Sequence, residues 1–463
     1  MKPRLRRSVI AAVALVAVAA VVGVLVARPA PPPPPVDSEQ LRAAVTTRAV
    51  TAHLDALQRI ADAHNGNRAA GTTGYAASID YVEAQLHQAG YQTRRQQFSY
   101  DRPDYTRATL QRTAPAHAEY AVMRDFRPLA YSGAGSVTAP VTAVDLNLGG
   151  NHATTSGCEA SDFSGFPRGT IALVQRGTCP FAAKVENAAA AGASGVVVMN
   201  QGDDPRRRGL FAGTLGRQVG VPVVATTFDL GAEWAAASGT TLTLAIESTV
   251  TRVTTENLLA DTPTGAAERT VVLGAHLDGV AEGPGINDNG SGVAVVLELA
   301  VRFAALDVQP HNRVRFAFWG AEEDGVYGSG HYVAQLDKAG RRETALYLNL
   351  DMVGSPHPVA SVYGGGAAGA GWPTGSGAIQ AVLTDFLTSQ GTTPQVVTFR
   401  ASDHASFLDA GIPVGGLFTG EDNGADPCYH QACDRVETID RDMLGIMADA
   451  AAHATLTFAQ SPG

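Results

Sequence analysis

The chain has 463 residues, 45% of them hydrophobic and 17% charged, which is enough apolar material for two or three domain cores and excludes a mainly disordered protein. Lys and Arg number 34 against 44 Asp and Glu, for a formal charge of −10, and five of the basic residues fall in the first 35, so the body of the chain is more acidic than the whole. That balance argues against nucleic-acid binding, which needs a basic surface to displace counterions.

Met1–Arg7 is strongly basic, Val9–Ala27 is an unbroken apolar run of 19 residues, and a Pro-rich stretch reaches Pro35. This order reads as an export signal, either cleaved or retained as an anchor, over residues 1–35. Basic residues before the run place the body outside the membrane, so the expected location is extracellular, secreted or anchored through residues 9–27. Four cysteines fit an oxidising compartment. They allow three connectivities; nearest-neighbour pairing, Cys158 with Cys179 and Cys428 with Cys433, is the expectation.

Residues 36–50 read as a linker running into a first helix. Gly74–Ala89 has helical apolar spacing and stops at Gly90, and Tyr91–Tyr100 alternates like a strand. Residues 36–136 are read as the first part of the main domain. Residues 137–247 hold short apolar strands (Thr170–Val174, Val196–Met199, Val221–Ala225) and a helix ended by Gly192, and read as an inserted unit. From residue 248 to 463, strands and helices alternate in the βαβ manner.

In this last stretch polar residues recur just after strands. Thr270–Ala275 is followed by His276 and Asp278, Val314–Trp319 by Glu322 and Glu323, and Ala345–Leu350 by Asp351. Ligands in open α/β sheets bind beyond the carboxyl ends of the strands, so these residues share one candidate rim. Asp288 in Gly285-Ile-Asn-Asp-Asn-Gly-Ser-Gly292 and His430 in Cys428-Tyr-His-Gln-Ala-Cys433 join them. Imidazoles and carboxylates without a thiolate suit zinc with open positions, and a bridging carboxylate is the usual solution for a two-metal hydrolase.

Taken in order, these segments resemble the M28 family of zinc aminopeptidases, the secreted bacterial type, over nearly all of the chain after residue 35. The resemblance implies a three-layer α/β/α sandwich with a mixed, largely parallel sheet and a small inserted β-rich domain. It implies two zinc ions held by His276, Asp288, Glu323, Asp351 and His430, with Asp288 bridging. It implies Glu322 as general acid/base, Tyr429 as a donor to the oxyanion, Asp278 as the carboxylate that orients His276, and a cis peptide after Asp288. Cys158, the Gly169–Gly177 region, Cys179-Pro-Phe181 and Ala188–Gly195 resemble a PA (protease-associated) domain, implying a lid or access module without chemistry of its own. The implied partners are peptides with a free N-terminus, with a membrane involved only through an N-terminal anchor. Gly279 departs from the serine that many relatives carry there.

Other readings keep the scaffold and change the activity: a PA-domain carboxypeptidase, which needs a basic pocket, a one-zinc glutaminyl cyclase, or a binding ectodomain that has lost its ligands. Ser402-Asp403-His404 cannot form a triad from consecutive residues and reads as support or pocket lining. His331 reads as a packed or capping residue. His53, His64, His87, His117, His152, His311, His357 and His453 show no partner pattern and read as surface.

Overall fold

The computed structural model describes residues 36–365, 371–420 and 426–462. The export segment expected at 1–35 lies outside the described residues. No helix among the described residues is long and apolar enough to cross a membrane.

The expected linker is already helical. Asp37 caps Ser38–Ala44 by accepting from the Gln40 N–H, while the Gln40 side chain accepts from the Asp37 N–H. This reciprocal pair satisfies two amides that a helix end leaves open. Leu41 and Val45 are then buried in the main core, and Thr46 caps the next helix, Thr47–Ala63. Thr72 caps Thr73–Gln88, and Gly90 turns the chain out with φ of +95°.

The strand expected at 91–100 is much longer, Thr93–Ala114. It pairs antiparallel with Thr241–Asp261 from Thr93 opposite Ala260 to Ala114 opposite Thr241. A partner so distant in sequence, and a polar middle that is only partly buried, leave no local signal for that length. Thr241–Asp261 runs through residue 247 without a break, so the main and inserted parts share a strand. On one side it meets Asn312–Trp319; on the other it meets Gly135–Ala143, the first of four parallel strands continued by Ile171–Gln175, Gly195–Met199 and Val223–Thr226. Phe126–Pro128 closes that end antiparallel. Helix Phe181–Ala191 ends at Gly192, whose φ is +93°.

In the main part the order across the sheet is Gln395–Val397, Ser361–Tyr363, Val414–Phe418, Thr344–Asp351, Ala266–His276, Asn312–Trp319, Thr241–Asp261. The four strands from Val414–Phe418 to Asn312–Trp319 are parallel; Thr241–Asp261 runs against Asn312–Trp319, and Ser361–Tyr363 runs against Val414–Phe418 but parallel to Gln395–Val397. The sheet is thus mixed and mostly parallel, as expected. Period-two alternation splits its side chains between two cores. Val271, Leu273, Phe316 and Phe318 face helices Thr47–Ala63, Gly292–Ala305 and Arg441–Gln460. Val272, Ala317 and Trp319 face the other way, against Tyr332 and Phe407 of helices Tyr327–Ala334 and His404–Asp409. Burial on both faces is what a parallel sheet requires.

One histidine corrects the surface reading. His53 is buried, with Nδ1 2.7 Å from the Tyr81 hydroxyl and Nε2 3.1 Å from the Glu298 carboxylate. Its partners lie on other helices, so no spacing announces them. His331 is packed as expected, stacked on Phe98 at 5.1 Å.

Phe316 is fully buried and meets Tyr91 and Phe303 edge-on at 5.8 and 5.6 Å. Phe316→Ala is expected to cost about 3–5 kcal/mol through lost transfer energy and a residual cavity. Urea denaturation measures this, and a cost below about 1 kcal/mol would contradict the packing described.

Candidate metal centre

Parallel register brings the site together. His276 lies opposite Trp319, and Asn349 opposite Gly274, so three strands end at one rim. Gly274 has no side chain because a Cβ there would lie 2.7 Å from Trp319 Nε1 and 2.9 Å from the Tyr347 hydroxyl. Those two groups hydrogen-bond to each other at 2.9 Å. Beyond Trp319 the chain turns through Ala321 in the left-handed region, φ +58°, and presents Glu322 and Glu323.

Asp278, fully buried, accepts from the Glu322 N–H at 3.1 Å and the Glu323 N–H at 3.3 Å. The resemblance implies that this carboxylate orients His276. In the structure the Asp278 backbone carbonyl meets His276 Nδ1 at 3.1 Å, while the nearest carboxylate oxygen is 3.9 Å away. The carboxylate is occupied in shaping the Glu322–Glu323 turn.

Asp288 sits between the two imidazoles. Oδ1 is 3.3 Å from His276 Nε2 and Oδ2 is 3.1 Å from His430 Nε2. Asp351 Oδ1 is 3.4 Å from His276 Nε2, and Glu323 Oε2 is 2.9 Å from His430 Nε2. The residues therefore form two triples sharing Asp288: His276 with Asp351, and His430 with Glu323. Glu322 stands at the edge, its nearest oxygen 3.9 Å from His276 Nε2. The Asp288–Asn289 peptide is cis.

These groups approach one another without bonding. Glu323 Oε1, Asp351 Oδ1 and His430 Nε2 are buried and have no hydrogen-bond partner. A buried polar atom left unmet costs about 1–3 kcal/mol, so several converging in one cup fit a cation better than they fit each other. Donor atoms of His276, Asp288 and Glu323, and of His276, Glu322 and Asp351, lie within 4.8 Å of one another. The donors are nitrogen and carboxylate oxygen, which suits zinc.

The protein's own charges tell the same story. Burial pushes the Glu322 carboxyl well above the usual range, with Glu323, Asp403 and Asp351 adding to it against His276. Burial, with Asp288 beside it, raises Glu323 to about 8. Burial works against a charged His430, yet Asp288 and Glu323 lift it to about 11. The cup holds more negative charge than its imidazoles offset.

Around it, Ser402 donates to Asp351 Oδ2 at 2.6 Å, and Asn349 donates to Ser402 at 2.9 Å. Ser402-Asp403-His404 is indeed no triad: His404 Nε2 bonds the Phe399 carbonyl, and both Asp403 oxygens are buried without a partner. Tyr429 is half-exposed, its ring stacked on His430 at 3.8 Å. The disulfides are Cys158–Cys179 and Cys428–Cys433, the pairing expected. Two buried residues of the site escaped the sequence reading, Arg68 and Asp434. A single arginine in a loop reads as solvated. Asp434 directly follows the Cys428–Cys433 segment, and that adjacency was the available signal.

The chain is similar to known proteins over most of its length. The chain matches peptidase family M28 over residues 257–455 and the PA domain over residues 137–234. An aminopeptidase of Pseudomonas aeruginosa is 43% identical over 430 residues, covering 88% of this chain and 80% of that protein. A probable lipoprotein aminopeptidase, LpqL, of Mycobacterium tuberculosis is 38% identical, covering 91% and 87%. The solved aminopeptidase from Aneurinibacillus sp. strain AM-1 superposes with a TM-score of 0.74 at 26% identity, covering 92% of this chain and 97% of that one. BSAP, a zinc aminopeptidase from Bacillus subtilis, gives 0.61 at 25% identity, covering 90% and 96%.

Stripping the protein with a chelator and restoring zinc tests the cup directly. Saturation at 100 times the dissociation constant adds about 2.7 kcal/mol, so zinc should raise the melting temperature of stripped protein and should do so far less in His276→Ala. An identical melt with and without zinc would count against a metal centre here.

Proposed function

Because the chain belongs to peptidase family M28, we propose that it is a zinc-dependent aminopeptidase that removes N-terminal residues from peptides. The observation that carries this reading is Asp288, whose two oxygens each face a different imidazole. The aminopeptidase names of its relatives support the reaction, and the zinc aminopeptidase of Bacillus subtilis supports the metal.

Two zinc ions are assigned, one to His276, Asp288 and Asp351, the other to Asp288, Glu323 and His430. When bound, they supply Lewis acidity at the scissile carbonyl and a lowered pKa for water. The remaining work falls to the protein. Glu322 is left out of both zinc assignments, and its raised proton affinity suits a group that takes the proton of the attacking water. The same carboxyl then returns the proton to the leaving amine. Tyr429, half-exposed and stacked on His430, suits the donor to the developing oxyanion. The acidic lining of the cup favours the ammonium of a free N-terminus. Buried Arg68 is not available to meet a substrate carboxylate, because its guanidinium is committed to backbone carbonyls.

Met352, next to Asp351, packs with Tyr363 and Phe418, and Trp372, Val397 and Phe399 lie against them. That apolar wall suits a large apolar first residue. Tyr327, four residues past Glu323, packs both on the core of the inserted unit and on the cluster of Phe98, Tyr100 and Ala321. The contact supports a role for the inserted unit in shaping access. The two disulfides, with a relative named a lipoprotein, support action outside the cytoplasm.

Glu322→Gln is expected to lower turnover of leucine p-nitroanilide by about 10²–10⁴-fold while zinc content stays at the wild-type level. Wild-type turnover in that variant would remove Glu322 from the mechanism. N-acetyl-leucine p-nitroanilide should resist hydrolysis; cleavage of blocked and free substrates at equal rates would mean that a free amine is not recognised.

A further inference from the structure

The turn that delivers Asp288 is gripped from both sides by residues far away in sequence. On its carbonyl side lies Arg68, fully buried. Nε donates to the Pro284 carbonyl at 2.9 Å, Nη2 to the Gly285 carbonyl at 2.5 Å, and Nη1 to the Leu277 carbonyl, next to His276. On its amide side lies Asp434, 3% exposed. Oδ1 accepts from the Asn287 N–H at 2.7 Å, Oδ2 from the Asp288 N–H at 3.0 Å, and the Asp434 backbone carbonyl from the Ile286 N–H at 3.3 Å. Two carbonyls and three consecutive amides across residues 284–288 are thus satisfied by one cation and one aspartate.

Asp434 also follows Cys433, which closes the loop carrying His430. Arg68 reaches the loop after His276 as well as the turn before Asp288. Between them these two side chains tie down the backbone around both imidazoles and the carboxylate they share. Neither is among the residues facing the cation positions assigned above.

We propose that Arg68 and Asp434 are positioning residues that set the Leu277–Asp288 loops and the His430 loop in metal-binding geometry before any cation arrives. The physical reason is charge and valence together. Converging carboxylates repel, and a flexible turn would let Asp288 swing away from His276 and His430. A buried guanidinium with fixed planar donors and a carboxylate accepting two adjacent N–H groups remove that freedom. Arg68 adds a positive charge close to Asp278, Asp434, Asp288 and Glu323.

The proposal rests on the metal reading above, and its test does not depend on peptide hydrolysis alone. In metal-free wild-type protein, hydrogen exchange should show the amides of Asn287 and Asp288 strongly protected, and zinc should add little further protection. Free exchange at both amides without metal would overturn the proposal, because the cation would then be what organises the turn. In Asp434→Asn and Arg68→Lys, competition with a chelating dye should show zinc affinity weakened by about 10- to 100-fold, the range typical of groups that support metal ligands. At saturating zinc, kcat for leucine p-nitroanilide should fall while KM holds, since the substrate-binding wall is untouched. Wild-type zinc affinity and kcat in both variants would overturn the assignment. Should either variant fail to fold, the exchange measurement on wild-type protein decides. If zinc binds as described and no aminoacyl substrate is cleaved, the reaction reading falls and the positioning roles stand.

Discussion

Repulsion among buried carboxylates is the constraint that organises this molecule. Asp278, Asp288, Glu322, Glu323, Asp351 and Asp403 share one cup with two imidazoles. A carboxylate removed from water without a partner is expensive, so such a cluster persists only where something balances it. Part of the balance is in the protein. Asp278 takes two backbone N–H groups, and Asp351 takes the Ser402 hydroxyl. Glu323 Oε1, Asp351 Oδ1 and His430 Nε2 have no hydrogen-bond partner, and that remainder suits a cation.

The parallel sheet makes this possible. Its strands end together, so residues that follow them converge whatever their distance in sequence. Burying both faces leaves the rim as the place where polar side chains can gather. The helices behind the rim also contribute geometry: Asn289 donates to the Leu350 carbonyl and accepts from the N–H groups of Gly292 and Met352, binding the Asp288 turn to the strand that carries Asp351.

The inserted unit is joined by more than its chain crossings. Thr93–Ala114 and Thr241–Asp261 pair over their whole length and carry backbone hydrogen bonds from one sheet into the other. Tyr327 adds a side-chain contact next to the Glu322–Glu323 turn. A unit attached in this manner continues the sheet rather than hanging from it by a linker.

Much of this was legible before any coordinates. Strand ends at His276, Trp319 and Asp351 followed from short apolar runs bounded by polar residues, and the helix stops at Gly90 and Gly192 from glycine alone. The two disulfides matched their neighbours in sequence. Other features were not legible, and for one reason: their partners lie elsewhere in the chain. The helix at Ser38–Ala44 looked like a linker because Leu41 within it and Val45 just after it are buried only once the main core exists. His53 looked exposed because Glu298 and Tyr81 sit on other helices. By its residue types and their order the chain determined the chemistry at the rim and the family it belongs to. Only the tertiary structure decided which atoms meet, because the reach of Arg68 to Gly285 and of Asp434 to Asp288 depends on loops brought side by side by folding, and local periodicity carries no record of contacts made across hundreds of residues.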